Sequence, residues 1–144
     1  MRIWHYKLLP YLPEAQFKGQ LRELVAILRN TKKKGTPNHL LVNQIKHYHE
    51  SDLTGYFMIY NDEYKKRYGK PIADIFKQEF LEYSRGISNW SPFMFWHNDL
   101  YLRVCMANLF EKYHFAEGTS QLTYDEWERL LEGYKTITGE VYAV

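Results

Sequence analysis

The chain has 144 residues, 45% of them apolar and 25% charged, the proportions of an ordinary globular protein with enough length for one domain and a buried core. No apolar run approaches the ~18 residues that a membrane span needs, and charges and prolines interrupt the stretch where a signal peptide would be apolar, so a cytoplasmic protein without membrane contact is expected. The net charge of +2 hides an asymmetry: residues 1–46 hold nine Lys and Arg against two Glu, and the remainder ten against fifteen acidic residues, which favours a local anionic partner over a uniformly adhesive surface.

In chain order, Pro10 and Pro13 delay the first helix to about Pro13 or Glu14, since proline is welcome in a first turn. Phe17, Leu21, Leu24, Val25 and Leu28 then fall on one stripe of a 3.6-residue period. The helix is expected to end before the Asn30–Pro37 stretch, where Lys32, Lys33, Lys34, Gly35 and Pro37 read as a solvated loop. Residues 38–49 hold at most a short helix. A second long helix is expected from a cap at Ser51 or Asp52 to about Tyr68, stopped by Gly69 and Pro71.

Residues 72–84 favour helix, with Ile72, Ile75, Phe76, Phe80 and Tyr83 on one face. Gly86–Trp96 reads as an ordered loop rich in bulky aromatics. Asn98 or Asp99 caps a third long helix to about His114, with Leu102, Met106, Leu109 and Phe110 inward. On it the single cysteine, Cys105, reads as a small core residue; alone it excludes an internal disulfide and suits a reducing compartment. A last helix starts at Thr123, where Thr123 and Glu126 form a capping box, and is expected to stop at Gly133. No run alternates like a strand. The class is all-α: a compact single-domain bundle, residues 1–144, of three long helices plus shorter helices and ordered loops. Most of the thirteen tyrosines are expected as packing material.

The sequence lacks a Gly-rich phosphate loop, a paired Cys motif and a nucleophile elbow. His47 and His49 sit two apart, which on a helix turns them to different faces, so neither a metal nor another cofactor is expected. Chemistry then concentrates on the N-terminus and the first helix. Lys18, Arg22 and Arg29 cluster beside the apolar stripe, ready for phosphates, and Glu23 lies roughly 100° round from Arg22. Taken alone, an Arg-Glu pair in mid-helix is a solvated surface feature, and Arg2, Trp4 and His5 are terminal packing and stray charge.

Met1-Arg2-Ile3-Trp4-His5 at the start, leucines and prolines through Pro13, and then Gly19-Gln20-Leu21-Arg22-Glu23 resemble the pyrimidine-dimer DNA glycosylase (endonuclease V) family, its bacterial branch above all. The likeness is specific over residues 1–24 and diffuse beyond, continuing weakly through Trp96-His97-Asn98-Asp99. It implies a compact three-helix-type fold, in agreement with the periodicity. It also implies a DNA-repair glycosylase with apurinic/apyrimidinic lyase activity, acting on double-stranded DNA that contains a pyrimidine dimer or an abasic nucleotide.

In that chemistry the nucleophile is the N-terminal α-amine, here that of Met1; α-amines ordinarily titrate near pH ~8, which leaves a usable neutral fraction at pH 7. The amine forms a Schiff base with deoxyribose C1′. Glu23 matches the carboxylate that stabilises the cationic sugar and moves protons. Arg2 and Arg22 match positions that hold phosphates and the kinked duplex, and His5, Lys18 and Arg29 complete the expected DNA contacts. The chain departs from the phage branch at Gln16, where that branch has histidine, and at Ala26, where it has arginine. A nucleoid location is implied by the activity. The alternatives are a non-catalytic nucleic-acid-binding helical protein and a helical interaction domain without nucleic acid.

Overall fold

The computed structural model describes residues 1–143, apart from the side chain of Ser120. An N-terminal extended segment leads into a 3-10 turn at Tyr6–Tyr11, followed by α1 (Glu14–Lys34), a 3-10 turn at Asn43–His47, α2 (Glu50–Tyr68), α3 (Asp74–Tyr83), α4 (Asp99–His114), a 3-10 turn at Gly118–Ser120 and α5 (Tyr124–Thr138). The fold is all-α, without a strand among the described residues. No described helix is long and apolar enough to cross a membrane.

α1 follows Pro13 and buries Phe17, Gln20, Leu24, Ile27 and Leu28, while Leu21 and Val25 lie at the edge of the stripe. The expected stop before Asn30 is corrected: the helix runs on to Lys34 and ends at Gly35, whose φ of 77° is the left-handed cap that glycine adopts freely. A polar run is not in itself a break. Lys32, Lys33 and Lys34 fill the last turn, where cations offset the negative end of the helix dipole.

α2 is the central helix. Ser51 to Phe57 are buried without interruption, so its sequence shows little amphipathic contrast. Its cap is His49, whose Nδ1 accepts from the Ser51 N–H at 3.1 Å, which corrects the expected caps at Ser51 and Asp52. Asp52 instead organises the loop before α4: its carboxylate accepts from Asn89 Nδ2 at 2.8 Å and from the Phe93 N–H at 2.9 Å. The same loop crosses α2 at Gly55, where a Cβ would fall inside the Asn89 backbone.

In that aromatic loop Phe93 and Trp96 face the core, while Trp90 and Phe95 are exposed. α3 packs Phe80 against Phe57 with ring centroids 4.3 Å apart. Ile75, expected inward, is 66% exposed, whereas Ile72 and Phe80 of the same expected face are buried. α4 is capped by Asn98, whose Oδ1 accepts from the Tyr101 N–H at 2.9 Å, and buries Leu102, Cys105, Met106 and Leu109. Phe110, at its edge, meets Trp127 of α5 at 5.5 Å. The Thr123–Glu126 capping box opens α5 as expected. The expected stop at Gly133 is corrected to Thr138: Gly133 lies within the helix because the Tyr11 ring occupies the place of its side chain. The tail ring of Tyr142 packs edge-on to Trp127 at 6.0 Å.

Candidate active site

The backbone of residues 2–4 is held by hydrogen bonds to side chains of α1, α2 and α4. Gln20, fully buried in α1, accepts the Trp4 N–H on Oε1 at 2.8 Å and donates from Nε2 to the Arg2 carbonyl at 2.8 Å. Tyr56 of α2 donates its hydroxyl to the Trp4 carbonyl at 2.6 Å, and Tyr101 of α4 donates to the Ile3 carbonyl at 2.7 Å. Burial pushes both hydroxyls far above the ordinary tyrosine range, so they remain donors at any physiological pH. Ile3 and Trp4 fill the core below.

This clamp delivers the N-terminus to Glu23. The Met1 amine lies 3.8 Å from Glu23 Oε1, and the Arg2 N–H donates to Glu23 Oε2 at 3.2 Å. One carboxylate thus faces the first two nitrogens of the chain. The amine and the carboxylate are both partly open to solvent, with side chains of Met1 and Glu23 exposed by 21% and 34%. They line a cavity of about 560 Å³ together with Arg2, Gln16 and Gly19, and with Leu41, Asn108 and Lys112 from later in the chain. Among the described residues no three His, Cys, Asp or Glu side chains gather as a metal site.

The structure distributes the expected DNA contacts unevenly. Arg22 is exposed beside the cavity-lining Gly19, where its Nη2 is the atom nearest to an added Cβ, 3.6 Å away. The Arg2 guanidinium lies over the Trp4 ring, 5.3 Å from its centroid. Lys18 is exposed and pairs with Glu14 at 3.2 Å. Arg29 is held by Glu79 of α3 at 2.8 Å and shares a shallow groove with Arg22 and Ala26. Gln16, which stands where the phage branch has histidine, lines the cavity itself.

His5, expected at the DNA surface, is instead enclosed at 2% exposure, stacked on His97 with centroids 5.1 Å apart. Burial lowers its pKa to about 4, against smaller opposing effects of backbone contacts. Burial, and then the neighbouring His5, hold His97 well below the usual histidine range. Both rings are neutral and serve the fold: His5 Nδ1 accepts from the Lys7 N–H at 3.2 Å and His97 Nδ1 from the Tyr6 N–H at 3.2 Å.

Sequence reasoning missed Gln20, Lys112 and Asn108. Gln20 had a usable signal, because it sits three residues after Phe17 and four before Leu24, on the core stripe where a polar residue requires a partner. Lys112 had none, since a lysine in the last turn of a helix is ordinary.

Comparison with curated proteins and with solved structures gave no match. A family model described as pyrimidine dimer DNA glycosylase matches residues 1–75, a span that holds the N-terminal segment, α1 and α2, and with them Met1, Arg2, Arg22 and Glu23. More than half of the chain is matched, and the chain belongs to the pyrimidine dimer DNA glycosylase family.

Proposed function

We propose that this chain, acting as one helical domain, is a DNA glycosylase with abasic-site lyase activity whose nucleophile is the Met1 α-amine. The observation that carries the reading is the 3.8 Å approach of that amine to Glu23 Oε1. With Oε2 engaged by the Arg2 N–H, Oε1 is turned toward the amine and the open cavity. A nucleotide extruded from the stack brings C1′ to this point. The amine lone pair forms the N–C1′ bond, the C1′–base bond breaks, and its electron pair goes to the base, which takes up a proton and, in a dimer, stays joined to the neighbouring pyrimidine.

Glu23 stabilises the positive charge that spreads over C1′ and the ring oxygen. It then receives the proton of the attached nitrogen and returns it to the ring oxygen as the sugar opens to a Schiff base. Loss of a C2′ proton expels the 3′ phosphate and nicks the strand; on an abasic site the amine adds to the C1′ aldehyde and water leaves in place of the base. Arg22, beside the cavity-lining Gly19, and Lys112, in the lining itself, supply cations for the flanking phosphates. Single-turnover cleavage of a duplex with one thymine dimer tests the role of Glu23. Glu23→Gln is expected to abolish cleavage while duplex affinity stays near that of the wild type, and a variant cutting at the wild-type rate would remove Glu23 from the mechanism.

A further inference from the structure

The segment between α1 and α2 carries two leucines to the tip of a turn. The His39 carbonyl accepts from the Val42 N–H at 3.0 Å, so Leu40 and Leu41 are the central residues of a β-turn, a place that glycine, asparagine, aspartate or serine ordinarily takes. The turn is fixed at its base. Asn43 Oδ1 accepts from the His39 N–H at 2.9 Å and from the Thr36 hydroxyl at 3.1 Å, His39 Nδ1 accepts from the Leu41 N–H at 3.3 Å, and Val42 and Ile45 are buried in the core. Leu40 is nonetheless 88% exposed, and Leu41 beside it lines the cavity that holds Met1 and Glu23. An apolar side chain held out in water next to the cavity lining contributes nothing to the fold. Its surroundings are cationic: residues 24–49 contain Lys32, Lys33, Lys34 and Lys46, all exposed, together with Arg29, and no acidic residue.

We propose that Leu40 is a wedge that enters the base stack of the duplex next to the nucleotide delivered to Met1, a reading that rests on the site proposed above. Extrusion of a nucleotide leaves a gap in the stack. An apolar side chain that fills the gap holds the neighbouring bases apart and keeps the nucleotide from returning. Leu40 leaves water as it enters, which favours insertion in proportion to the apolar area buried, and the hydrogen-bonded base of the turn resists the closing stack. The lysines flanking the tip meet the phosphates on either side. They also favour DNA over a second copy of this chain, whose matching segment would bring the same positive charge to the contact. Leu40 touches no reacting atom in this account; it is a positioning residue, and it acts on the opening of the duplex.

The test uses untagged wild-type protein, Leu40→Ser and Leu40→Met, which alter an exposed side chain and leave the packing intact. One arm binds saturating protein to a duplex that carries a tetrahydrofuran abasic analogue, which cannot react, with 2-aminopurine beside it. Wild-type protein and Leu40→Met should raise the 2-aminopurine fluorescence, which reports unstacking, and Leu40→Ser should lose most of that rise. The other arm compares borohydride trapping on an abasic site in a duplex and in a single strand, where no stack has to open. Leu40→Ser should lower the ratio of the duplex rate to the single-strand rate by about 10- to 100-fold. A fluorescence rise undiminished in Leu40→Ser, or an unchanged ratio, would overturn the wedge. Sedimentation showing a DNA-free dimer that Leu40→Ser dissolves would assign the tip to a second copy and overturn it likewise. Wild-type protein that traps neither substrate would overturn the lyase chemistry proposed above, while the fluorescence arm, which needs no reaction, still decides the wedge.

Discussion

Replacing Gln20 by leucine keeps the volume of the side chain and removes both arms of the clamp on the N-terminal segment. The Trp4 N–H and the Arg2 carbonyl, each bonded at 2.8 Å, are then left unpaired, while Tyr56 still holds the Trp4 carbonyl. An orphaned buried group costs about 1–3 kcal/mol. Two such groups give about 2–6 kcal/mol, with the lower half expected because Arg2 is only partly buried and the chain end has access to water. A domain with about 5–15 kcal/mol of total stability survives that loss, but its first residues detach more readily than the remainder unfolds.

The consequence for the site is larger than for the fold. The 3.8 Å approach of the Met1 amine to Glu23 depends on those two bonds, and a misplacement of about 1 Å at a reacting centre lowers rates by about 100-fold. The assay pairs urea denaturation with hydrogen exchange at the Trp4 amide and with borohydride trapping on an abasic duplex. Gln20→Leu should speed exchange at Trp4 and slow trapping at saturating DNA, while the apparent affinity changes little. Gln20→Glu, which retains an acceptor for the Trp4 N–H, should fall between. A protein that loses stability and exchanges faster, yet traps at the wild-type rate, would refute Gln20 as the group that positions the amine.

His5 titrates at about 4 in the fold, lowered from 6.5 by burial, so the unfolded chain binds its proton first as the pH falls. Its contribution is complete above pH ~6.5 and is lost on descent towards pH ~4, with about 2 kcal/mol gone between pH 7.5 and pH 5. Urea midpoints at those two values measure it, and a midpoint that holds or rises on acidification would contradict the enclosed, neutral ring. Gly55→Ala places a Cβ inside the Asn89 backbone and should cost about 3 kcal/mol or more. Gly19→Ala meets only Arg22 Nη2, at 3.6 Å, and should gain about 0.5–1 kcal/mol as a helical glycine is replaced. Comparable melts for the two variants would disprove the crossing at Gly55. Arg22→Ala and Lys112→Ala should each weaken duplex binding across sequences and reduce the slope of log affinity against log salt by about one; an unchanged slope removes that residue from the phosphate contacts.

Local signals in the sequence carried over to the structure. The Thr123–Glu126 box and the Asn98 cap are formed by neighbours a few residues apart, so their chemistry is complete within the segment. Errors arose where tertiary context decides. Gly133 carries the sequence mark of a helix end, yet it is glycine because Tyr11 packs where its side chain would be. The lysines after Asn30 have the polarity of a loop, but polarity does not end a helix, and Gly35 does. Asp52 has the chemistry of a cap and is spent on a loop some forty residues away, at Asn89 and Phe93.

The site divides in the same way. The meeting of the Met1 amine with Glu23 joins residues across a reversal of the chain, beyond the reach of helical periodicity; only the family likeness placed them together. His5, in the same N-terminal motif, looked like a surface cation because its burial depends on His97, 92 residues further along and stacked at 5.1 Å. The partners of the N-terminal carbonyls, Gln20, Tyr56 and Tyr101, come from three different helices. No single segment announces them.

The most direct test of the account is borohydride reduction of the untagged protein with an abasic duplex, with mass mapping of the adduct. One covalent sugar adduct is expected, on the Met1 amine, forming in wild-type protein and lost when the N-terminus is blocked by acetylation. An adduct on a lysine side chain, or none from protein whose free Met1 amine is verified by mass, would contradict it.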